Sequence, residues 1–243
     1  MGYIILFIGM EIELSIIIPC KNEETYIGKL LDCLVMQSLP ASVEVIVSDA
    51  GSTDGTIAII NSYIGVLPNL KIIGGGLPSV GRNLGALYAR GSVLLFIDSD
   101  TYFKNDSLVI DSLELFKSRG GSILGCLLNI ENNFRVKVIY GLCNMIFYLS
   151  KFDSPFVVGS YMMIRRDKFL GIGGFDESLM HCEDYFLSKQ IPSSEHIIMN
   201  EYIYTDDRRF RKLGLFDMVK YFIRNMVRRN NKGYFKKDIG YWL

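Results

Sequence analysis

The first hundred residues repeat one pattern of apolar and polar positions. Short apolar runs predict strands at residues 14–18, 43–47, 70–73 and 94–97. Between these runs, apolar residues recur at helical spacing and predict helices, as at Ile27 and Leu31. Alternating strands and helices are typical of a parallel α/β sheet with right-handed crossover connections.

The second half of the chain follows a less regular pattern. It predicts a helix at 106–118, a strand at 122–129, a helix at 137–149, a strand at 156–165 and a helix from 183 to 191. The apolar part of the helix at 137–149 is too short to cross a bilayer, so we expect it to be buried or interfacial. We therefore predict no transmembrane helix.

The predicted strand at 94–97 ends in two carboxylates, Asp98 and Asp100, with Ser99 between them. In open α/β sheets, ligands bind beyond the carboxyl ends of the strands. Two neighbouring carboxylates repel each other unless a cation lies between them, and their oxygens suit Mg²⁺ or Mn²⁺. The alternative is an Asp-rich turn that caps the helix beginning near Asp106.

Three other polar turns carry weaker signals. The turn at 48–56 contains Gly51, which permits a positive φ or the close approach of a ligand. The glycine triplet at 74–76 lacks the spacing of a phosphate-binding loop, so we interpret it as a flexible loop. Glu183 and Asp184 open a predicted helix, where the helix dipole favours carboxylates in any protein.

Composition restricts the class of protein. The chain has 243 residues, no formal net charge and 49% hydrophobic residues, which suits one sizeable α/β domain and carries no nucleic-acid signature. Its five cysteines are scattered, so neither a disulfide framework nor a zinc site is indicated, and a cytoplasmic compartment fits best. The apolar run at 3–8 is a poor signal peptide, and Met10 is an alternative start to Met1.

Positive charge is concentrated in the tail. Residues 207–243 contain 11 lysines and arginines against 3 aspartates, an excess of +8. An apolar stripe at helical spacing runs through this segment and consists of Phe216, Val219, Phe222, Ile223, Met226 and Val227. Either the helix lies on an anionic membrane, which would suit a polyprenyl-phosphate or glycolipid acceptor, or its apolar face packs on the preceding domain.

Taken together, the polar turns resemble the motifs of family 2 glycosyltransferases, a group of inverting enzymes with the GT-A fold. The matching segments, in the family's order, are 15–19 with 22–23, then 47–56, 81–85, 98–100, 173–177, 183–184 and 208–210. Two departures are Ala50, where the family often has a second acid, and the pair Phe186 and Lys189, where it often has an acid and an arginine. The second departure leaves the identity of the acceptor unsupported.

The resemblance implies an α/β fold with a Rossmann-like mixed sheet, mostly parallel and flanked by helices. It implies a GT-A domain at residues 10–210, with a donor-binding half at about 10–105 and an acceptor half at about 106–210. Residues 211–243 would then form a basic, amphipathic helical extension.

The resemblance also implies how a nucleoside diphosphate-sugar is bound. Asp49 would contact the base, and Pro19 and Glu23 the nucleoside. Asp98 would face the ribose, and Asp100 would be the preferred ligand of a Mn²⁺ or Mg²⁺ ion on the diphosphate, with Asp98 as the second metal candidate. The other donor-binding residues implied are Lys21, Gly51, Arg82, Asn83, Ser99, Arg208 and Arg209.

Inversion requires a base on the acceptor side, and the family's base lies in the pair that matches Asp184 and Glu183. Asp184 is our choice, with Glu183 as its supporting or alternative partner. The residues expected near the acceptor are Gly159, Ser160, Gly174 and Phe175. Arg208 and Arg209 are interpreted either as a clamp on the diphosphate or as part of a basic, membrane-facing surface. His181 either touches the metal or acceptor or makes a local hydrogen bond.

The sequence thus predicts a metal-assisted, inverting, hexosyltransferase-like enzyme that favours a UDP- or GDP-sugar, with no nucleic-acid partner and an oligomeric state left open. It would be cytoplasmic, and peripheral on the membrane if the tail docks there. One alternative is a sugar nucleotidyltransferase, although its Gly-rich, Arg/Lys-containing loop is absent after Ile18. The other is a non-catalytic nucleotide-sugar-binding protein, which the presence of every required acid disfavours.

Overall fold

The computed structural model describes residues 11–150 and 155–238. Its centre is a seven-stranded sheet. The strands are β1 (Leu14–Cys20), β2 (Val43–Asp49), β3 (Lys71–Gly74), β4 (Val93–Ile97), β5 (Ile123–Asn129), β6 (Tyr161–Arg165) and β7 (His196–Tyr204). The helices are α1 (Ile27–Met36), α2 (Thr56–Asn61), α3 (Pro78–Tyr88), α4 (Leu108–Arg119), α5 (Phe134–Ser150), α6 (Arg166–Gly171), α7 (Glu183–Ser188), α8 (Arg208–Leu213), α9 (Leu215–Arg228) and α10 (Lys232–Phe235).

The strand order is β3-β2-β1-β4-β6-β5-β7. Strand β6 runs antiparallel to β4 and β5, and the other pairs are parallel. This confirms the predicted mixed, mostly parallel sheet. Because β6 is antiparallel, its first residue, Tyr161, pairs with Ile97 at the end of β4. The chain entering β6 therefore reaches the same sheet edge as Asp98 and Asp100.

The hydrophobic core lies on both faces of the sheet. Strands β1 and β4 are buried along their whole length, as expected for central strands covered on two sides. Helices α1, α2 and α4 pack on one face, and α3, α6 and α7 pack on the other. Gly85 lets α3 approach β1 closely, because a Cβ atom there would overlap the side chain of Ile17.

Three elements lack a prediction from the sequence: β7, α6 and α8. The apolar run of β7 is interrupted by Asn200 and Glu201, and its pairing with β5 has an irregularity between Gly125 and Leu127. Only the two ends of β7 are buried, at His196, Ile197 and Ile203, so its apolar pattern is weak. The strand predicted at 156–165 begins only at Tyr161, because the residues before it form the turn that enters the sheet edge.

The tail packs on the domain through one face only. On α9, Met218 is buried, and it joins Ile130, Val136 and Phe210 in a small cluster that includes part of α5. Helix α10 places Tyr234 and Phe235 against Leu179. Met218 was not part of the predicted apolar stripe. Of that stripe, Val219 and Phe222 are half-buried, and the exposed residues are Phe216, Ile223, Met226 and Val227. In the parts of the chain that the structure describes, no helix is both long and apolar enough to cross a bilayer. The predictions for residues 3–8 and for Met10 fall outside the described residues.

Candidate active site

An open cleft of about 610 Å³ lies beyond the carboxyl ends of β1, β2, β3 and β4. This volume is in the range of small-molecule sites, roughly 300–1,000 Å³. The residues that line it are Pro19, Cys20, Lys21, Asn22, Glu23, Ala50, Gly76, Leu77, Pro78, Asp98, Ser99, Arg208, Arg209, Lys212 and Leu213. The predicted donor residues Pro19, Lys21 and Glu23 therefore share one cleft with Asp98 and Arg208.

The turns after β1 and β2 are tied to each other beside this cleft. The carboxylate of Asp49 accepts hydrogen bonds from the backbone N–H groups of Gly51 at 3.0 Å and Ser52 at 2.9 Å. Gly51 has a φ of 76°, the left-handed conformation that glycine adopts without strain. The N–H of Asn22 donates to the hydroxyl of Ser52 at 2.9 Å. Asp49 is thus held in a preformed turn next to Ala50, which lines the cleft.

The two carboxylates after β4 have different partners. One oxygen of Asp98 accepts from Nη2 of Arg82 at 2.5 Å, and the other accepts from the hydroxyl of Ser160 at 3.0 Å. An oxygen of Asp100 lies 3.0 Å from Nη2 of Arg208. Both oxygens of Asp98 are therefore engaged within the protein. Asp100 does not line the cleft itself but contacts Arg208, which does, and its role as the preferred metal ligand stays a prediction.

The same two carboxylates differ in their tendency to ionise. Burial raises the pKa of Asp100 to about 6, the neighbouring Asp98 adds to this rise, and Arg208 and Arg209 oppose it. Burial also opposes the ionisation of Asp98, but the guanidinium of Arg82 holds its pKa below the usual range. Asp98 is therefore charged at neutral pH, and a divalent cation would favour the charged form of Asp100.

Arg82 lies between the two acidic motifs. Its Nη2 contacts Asp98, and its Nη1 donates to Oε1 of Glu183 at 2.5 Å. The residue is only 1% exposed, and its guanidinium lies over the ring of Phe175 at 5.4 Å. Although burial opposes its charge, the surrounding carboxylates raise the pKa of Arg82. The structure therefore places Arg82 under the cleft, where it joins β4 to the start of α7.

Asp184 lies next to this bridge and remains partly open to solvent, whereas Glu183 is buried. Oδ2 of Asp184 accepts from the backbone N–H of Gly159 at 2.8 Å. Burial raises the pKa of Asp184 to about 6, and Glu183 adds to the rise. The next residue, Ser160, donates to Asp98, so Gly159 and Ser160 connect Asp184 to the first carboxylate after β4. Of the two predicted base candidates, Asp184 is the one not engaged by Arg82 through a side-chain hydrogen bond.

The residues at the cleft fit a divalent cation that binds together with a diphosphate. Among residues 11–150 and 155–238, no group of three or more His, Cys, Asp or Glu side chains is arranged to hold a metal ion by itself. In nucleotide sites, however, Mg²⁺ is held by one or two carboxylates together with the phosphates of the substrate. Asp100 supplies such a carboxylate, and its negative charge is partly balanced here by Arg208.

Helix α8 forms one wall of the cleft. The guanidinium of Arg208 makes two hydrogen bonds of 2.8 Å to the carboxylate of Glu23 and also contacts Asp100. The guanidinium carbon of Arg208 lies 5.1 Å from the ring centroid of Tyr26. Arg209 lines the same cleft. Both arginines thus line the cleft, and the choice between a clamp on the diphosphate and a membrane-facing surface stays a prediction.

Three predicted site residues support the cleft from outside it. The amide of Asn83 makes hydrogen bonds to both backbone groups of Phe175, at 2.9 Å each. Gly174 has a φ of 71°, and a Cβ atom there would lie 2.7 Å from Oδ1 of Asn83. The ring of Phe175 packs in the core against Phe96 and Phe169. Contacts of Asn83 with the donor and of this loop with the acceptor stay predictions.

His181 is buried away from the cleft. Its ring packs on the rings of Tyr234 and Phe235, and its Nδ1 lies 3.2 Å from the hydroxyl of Tyr221. Burial lowers the pKa of His181, so it is neutral at pH 7. These contacts agree with the local hydrogen bond that the sequence left as one of two interpretations.

Sequence reasoning missed two segments of the cleft wall. Gly76, Leu77 and Pro78 follow β3, where the sequence suggested only a flexible loop, and Lys212 and Leu213 lie on α8. The rule that ligands bind at the carboxyl ends of parallel strands could have identified the first segment. The second lies more than 100 residues further along the chain, and its position depends on the packing of the tail.

This chain matches only a part of each curated relative. TarS of Staphylococcus aureus, a poly(ribitol-phosphate) beta-N-acetylglucosaminyltransferase, is 39% identical over 101 residues, which cover 40% of this chain and 18% of TarS. Hyaluronan synthase of Pasteurella multocida is 26% identical over 213 residues, which cover 83% of this chain and 21% of the synthase. The chain therefore spans about a fifth of the length of these two relatives.

Solved structures share the fold. The crystal structure of S. aureus TarS in complex with UDP-GlcNAc has a TM-score of 0.65 at 25% identity, covering 79% of this chain and 58% of that chain. A mannosyltransferase from Pyrobaculum calidifontis in complex with GDP-Man and Mn²⁺ has a TM-score of 0.69 at 17% identity, covering 82% and 59%. The family description Glycosyl transferase family 2 matches residues 15–172, more than half of the chain. The chain therefore belongs to glycosyl transferase family 2, as its motifs and its GT-A fold predict.

Proposed function

We propose that this chain transfers a sugar from a nucleoside diphosphate-sugar to an acceptor with inversion at the anomeric carbon. The observation that carries this proposal is that the acidic pair Glu183 and Asp184 lies beside Asp98 at one edge of the sheet. Asp184 contacts Gly159, and the next residue, Ser160, contacts Asp98, which lines the cleft. A donor held in the cleft would thus have a carboxylate base within reach of its sugar.

The donor side of this proposal assigns the cleft to the nucleotide. Asp49 would contact the base, Glu23 the nucleoside, and Asp100 a Mn²⁺ or Mg²⁺ ion on the diphosphate. Such an ion neutralises the charge that develops on the departing nucleoside diphosphate. Arg208 and Arg209 would add positive charge at the same oxygens. The structures of related folds with UDP-GlcNAc and with GDP-Man and Mn²⁺ support a UDP- or GDP-sugar as donor.

The acceptor side assigns the proton transfer to Asp184. As the acceptor oxygen forms its bond to the anomeric carbon, the bond from that carbon to the diphosphate oxygen breaks. The hydroxyl proton of the acceptor passes to the carboxylate of Asp184, and the nucleoside diphosphate leaves with the bonding electron pair. Glu183 keeps Arg82 charged and in place beneath the site, which makes it a positioning residue rather than the base.

We further propose a sugar, polyprenyl-phosphate or glycolipid acceptor, and a peripheral position on the cytoplasmic face of the membrane. The exposed basic residues of the tail support this location. The donor half at about 10–105, the acceptor half at about 106–210 and the extension at 211–243 belong to the same proposal. The packing of α9 on a cluster shared with α5 indicates that the extension is seated on the acceptor half.

Metal-dependent donor binding tests the proposal directly. We expect UDP- or GDP-sugars to raise the melting temperature more in Mn²⁺ than in EDTA. Asp100→Ala should remove this metal-dependent part and weaken nucleotide affinity in Mn²⁺ roughly tenfold or more, the order expected for losing one charge-assisted contact. Asp106→Ala, which removes an exposed carboxylate from the next turn, is the matched control and should behave as the wild type.

Two outcomes of this titration would contradict the proposal. Donor binding that chelation and Asp100→Ala leave unchanged would remove the metal from the mechanism. Binding of nucleoside triphosphates with release of pyrophosphate would identify a sugar nucleotidyltransferase instead. Isothermal titration and a thermal-shift series with UDP-, GDP- and dTDP-sugars measure both outcomes on the same samples.

The rate of transfer should depend on pH through Asp184. Its carboxylate must be charged to accept a proton, and its pKa is raised to about 6. The rate should therefore be highest above pH 6 and fall about tenfold for each pH unit well below that value. Turnover measured over roughly pH 5 to 8 with saturating donor and metal ion separates this effect from protonation of Asp100. A flat profile down to pH 5 would exclude a base with this pKa.

A further inference from the structure

Two helices of the second half expose apolar faces. On α5, the exposed apolar residues recur three or four positions apart, which places them on one side of the helix. They are Phe134, Val138, Leu142, Met145 and Leu149. On α9 the exposed apolar residues are Phe216, Ile223, Met226 and Val227. Phe134 and Phe216 are 80% and 82% exposed, so these are open faces and not the margins of the core.

These faces are not required for folding, because the opposite sides of both helices are already packed. Helix α5 buries Val136 and Phe147 against the domain, and α9 buries Met218. Val136 and Met218 belong to one cluster, which makes the two helices neighbours. The exposed apolar residues therefore lie on adjacent helices and face away from a core that is complete without them.

The charges beside these faces are mainly positive. Helix α5 has no acidic residue, and its exposed Arg135 and Lys137 flank the apolar face by helical spacing. Helix α9 exposes Lys220, Arg224 and Arg228, and its one acid, Asp217, pairs with Lys220 at 3.2 Å. Apolar residues bordered by lysine and arginine are the pattern of helices that lie in the surface of an anionic membrane.

We propose that the exposed faces of α5 and α9 together dock the protein on an anionic bilayer, with both helices lying in the interface. This inference deepens the proposed function, because it rests on a lipid-linked acceptor and adds a second helix to the membrane contact. A symmetric dimer through the same faces is less favourable, because it would bring the basic borders of both copies together. A bilayer with anionic headgroups instead supplies the opposite charge at these borders.

Vesicle co-sedimentation tests this proposal without requiring transfer. The full chain is mixed with neutral phosphatidylcholine vesicles or with vesicles that also contain phosphatidylglycerol. We expect binding to the anionic vesicles that weakens as salt is raised. Phe216→Glu/Val227→Glu on α9 and Phe134→Glu/Leu142→Glu on α5 should each weaken binding roughly tenfold or more.

The matched control is Met36→Glu/Val66→Glu, which adds the same charges at exposed apolar positions. Met36 lies on α1, which packs on the other face of the sheet, so this variant should bind vesicles as the wild type does. If a glutamate variant fails to fold, Arg135→Gln/Arg224→Gln gives a second test, because it keeps the apolar faces and should weaken binding to anionic vesicles only. Circular dichroism and cooperative thermal unfolding show which variants are folded, whether or not they bind nucleotide.

Three results would overturn the proposal: no binding to anionic vesicles, equal losses in the control and in the face variants, or a dimer in light scattering that the face substitutions dissociate. The last result would assign the faces to a second copy of the chain. Vesicle binding by a protein that binds no nucleotide would instead contradict the proposed function and leave the docking surface supported. The experiments therefore distinguish failure of the docking proposal from failure of the proposed function.

Discussion

Replacing Asp184 with asparagine is expected to lower the rate of sugar transfer by roughly 10²- to 10⁴-fold, the usual contribution of a general base. Asparagine cannot take the proton of the acceptor hydroxyl, but its carbonyl oxygen can still accept the hydrogen bond from Gly159. Because Asp184 is assigned to the acceptor and not to the nucleotide or its metal ion, donor affinity should not change. The expected signature is a loss of kcat with an unchanged Kd for the donor.

Two comparison variants make this result specific to the base. Asp111→Asn changes an acid on α4, on the other face of the sheet, and should leave kcat unchanged. Glu183→Gln weakens the contact with Arg82, so it should lower the melting temperature as well as the rate. A fully active Asp184→Asn enzyme would assign the base elsewhere, and a loss of donor binding would assign Asp184 to the nucleotide.

Local patterns were sufficient to predict the strands whose ends carry Asp49 and Asp98. The run at β4 is apolar throughout and ends at Asp98, so its burial and its terminal acids could both be read from adjacent residues. Strand β2 also ends in an acid, Asp49, although its run is interrupted by Glu44 and Ser48. Because parallel strands bring their carboxyl ends to one edge, a general rule of α/β folds then placed these acids together.

Long-range packing could not be predicted in the same way. Arg82 and Glu183 are 101 positions apart in the sequence, and neither apolar pattern nor spacing indicates that they form a pair. The resemblance placed Arg82 among the donor-binding residues, whereas the structure shows both ends of its guanidinium engaged by carboxylates under the cleft. The role of Asn83 in holding the backbone of Phe175 depends in the same way on how α3 meets a distant loop.

The tail shows a different limit of sequence reasoning. Its apolar stripe and basic residues fitted both membrane docking and packing on the domain. The structure shows that α9 has two apolar sides, one packed around Met218 and one exposed around Val227. Helical spacing identified the stripe but could not show that it was wider than the packed face. The exposed face of α5 was hidden for a similar reason, since its long apolar run resembles a buried helix.

Replacing Arg82 with methionine should destabilise the protein by about 3–5 kcal/mol, because it leaves the carboxylates of Asp98 and Glu183 without their cation in a buried site. The loss of stability should be larger at pH 8 than at pH 5. Arg82 holds the pKa of Asp98 low, and without it burial raises that pKa, so protonation at low pH relieves the unpaired charge of Asp98. Adding Asp98→Asn and Glu183→Gln to Arg82→Met should restore part of the stability, because no buried charge then lacks a partner.

Arg90→Met is the matched control for this prediction. Arg90 is exposed and its partner Glu44 also pairs with Lys71, so loss of the Arg90 side chain should cost at most about 1 kcal/mol. Chemical unfolding of the four proteins at both pH values measures these differences, and equal losses for Arg82→Met and Arg90→Met would show that the bridge beneath the cleft does not hold the two acidic motifs together.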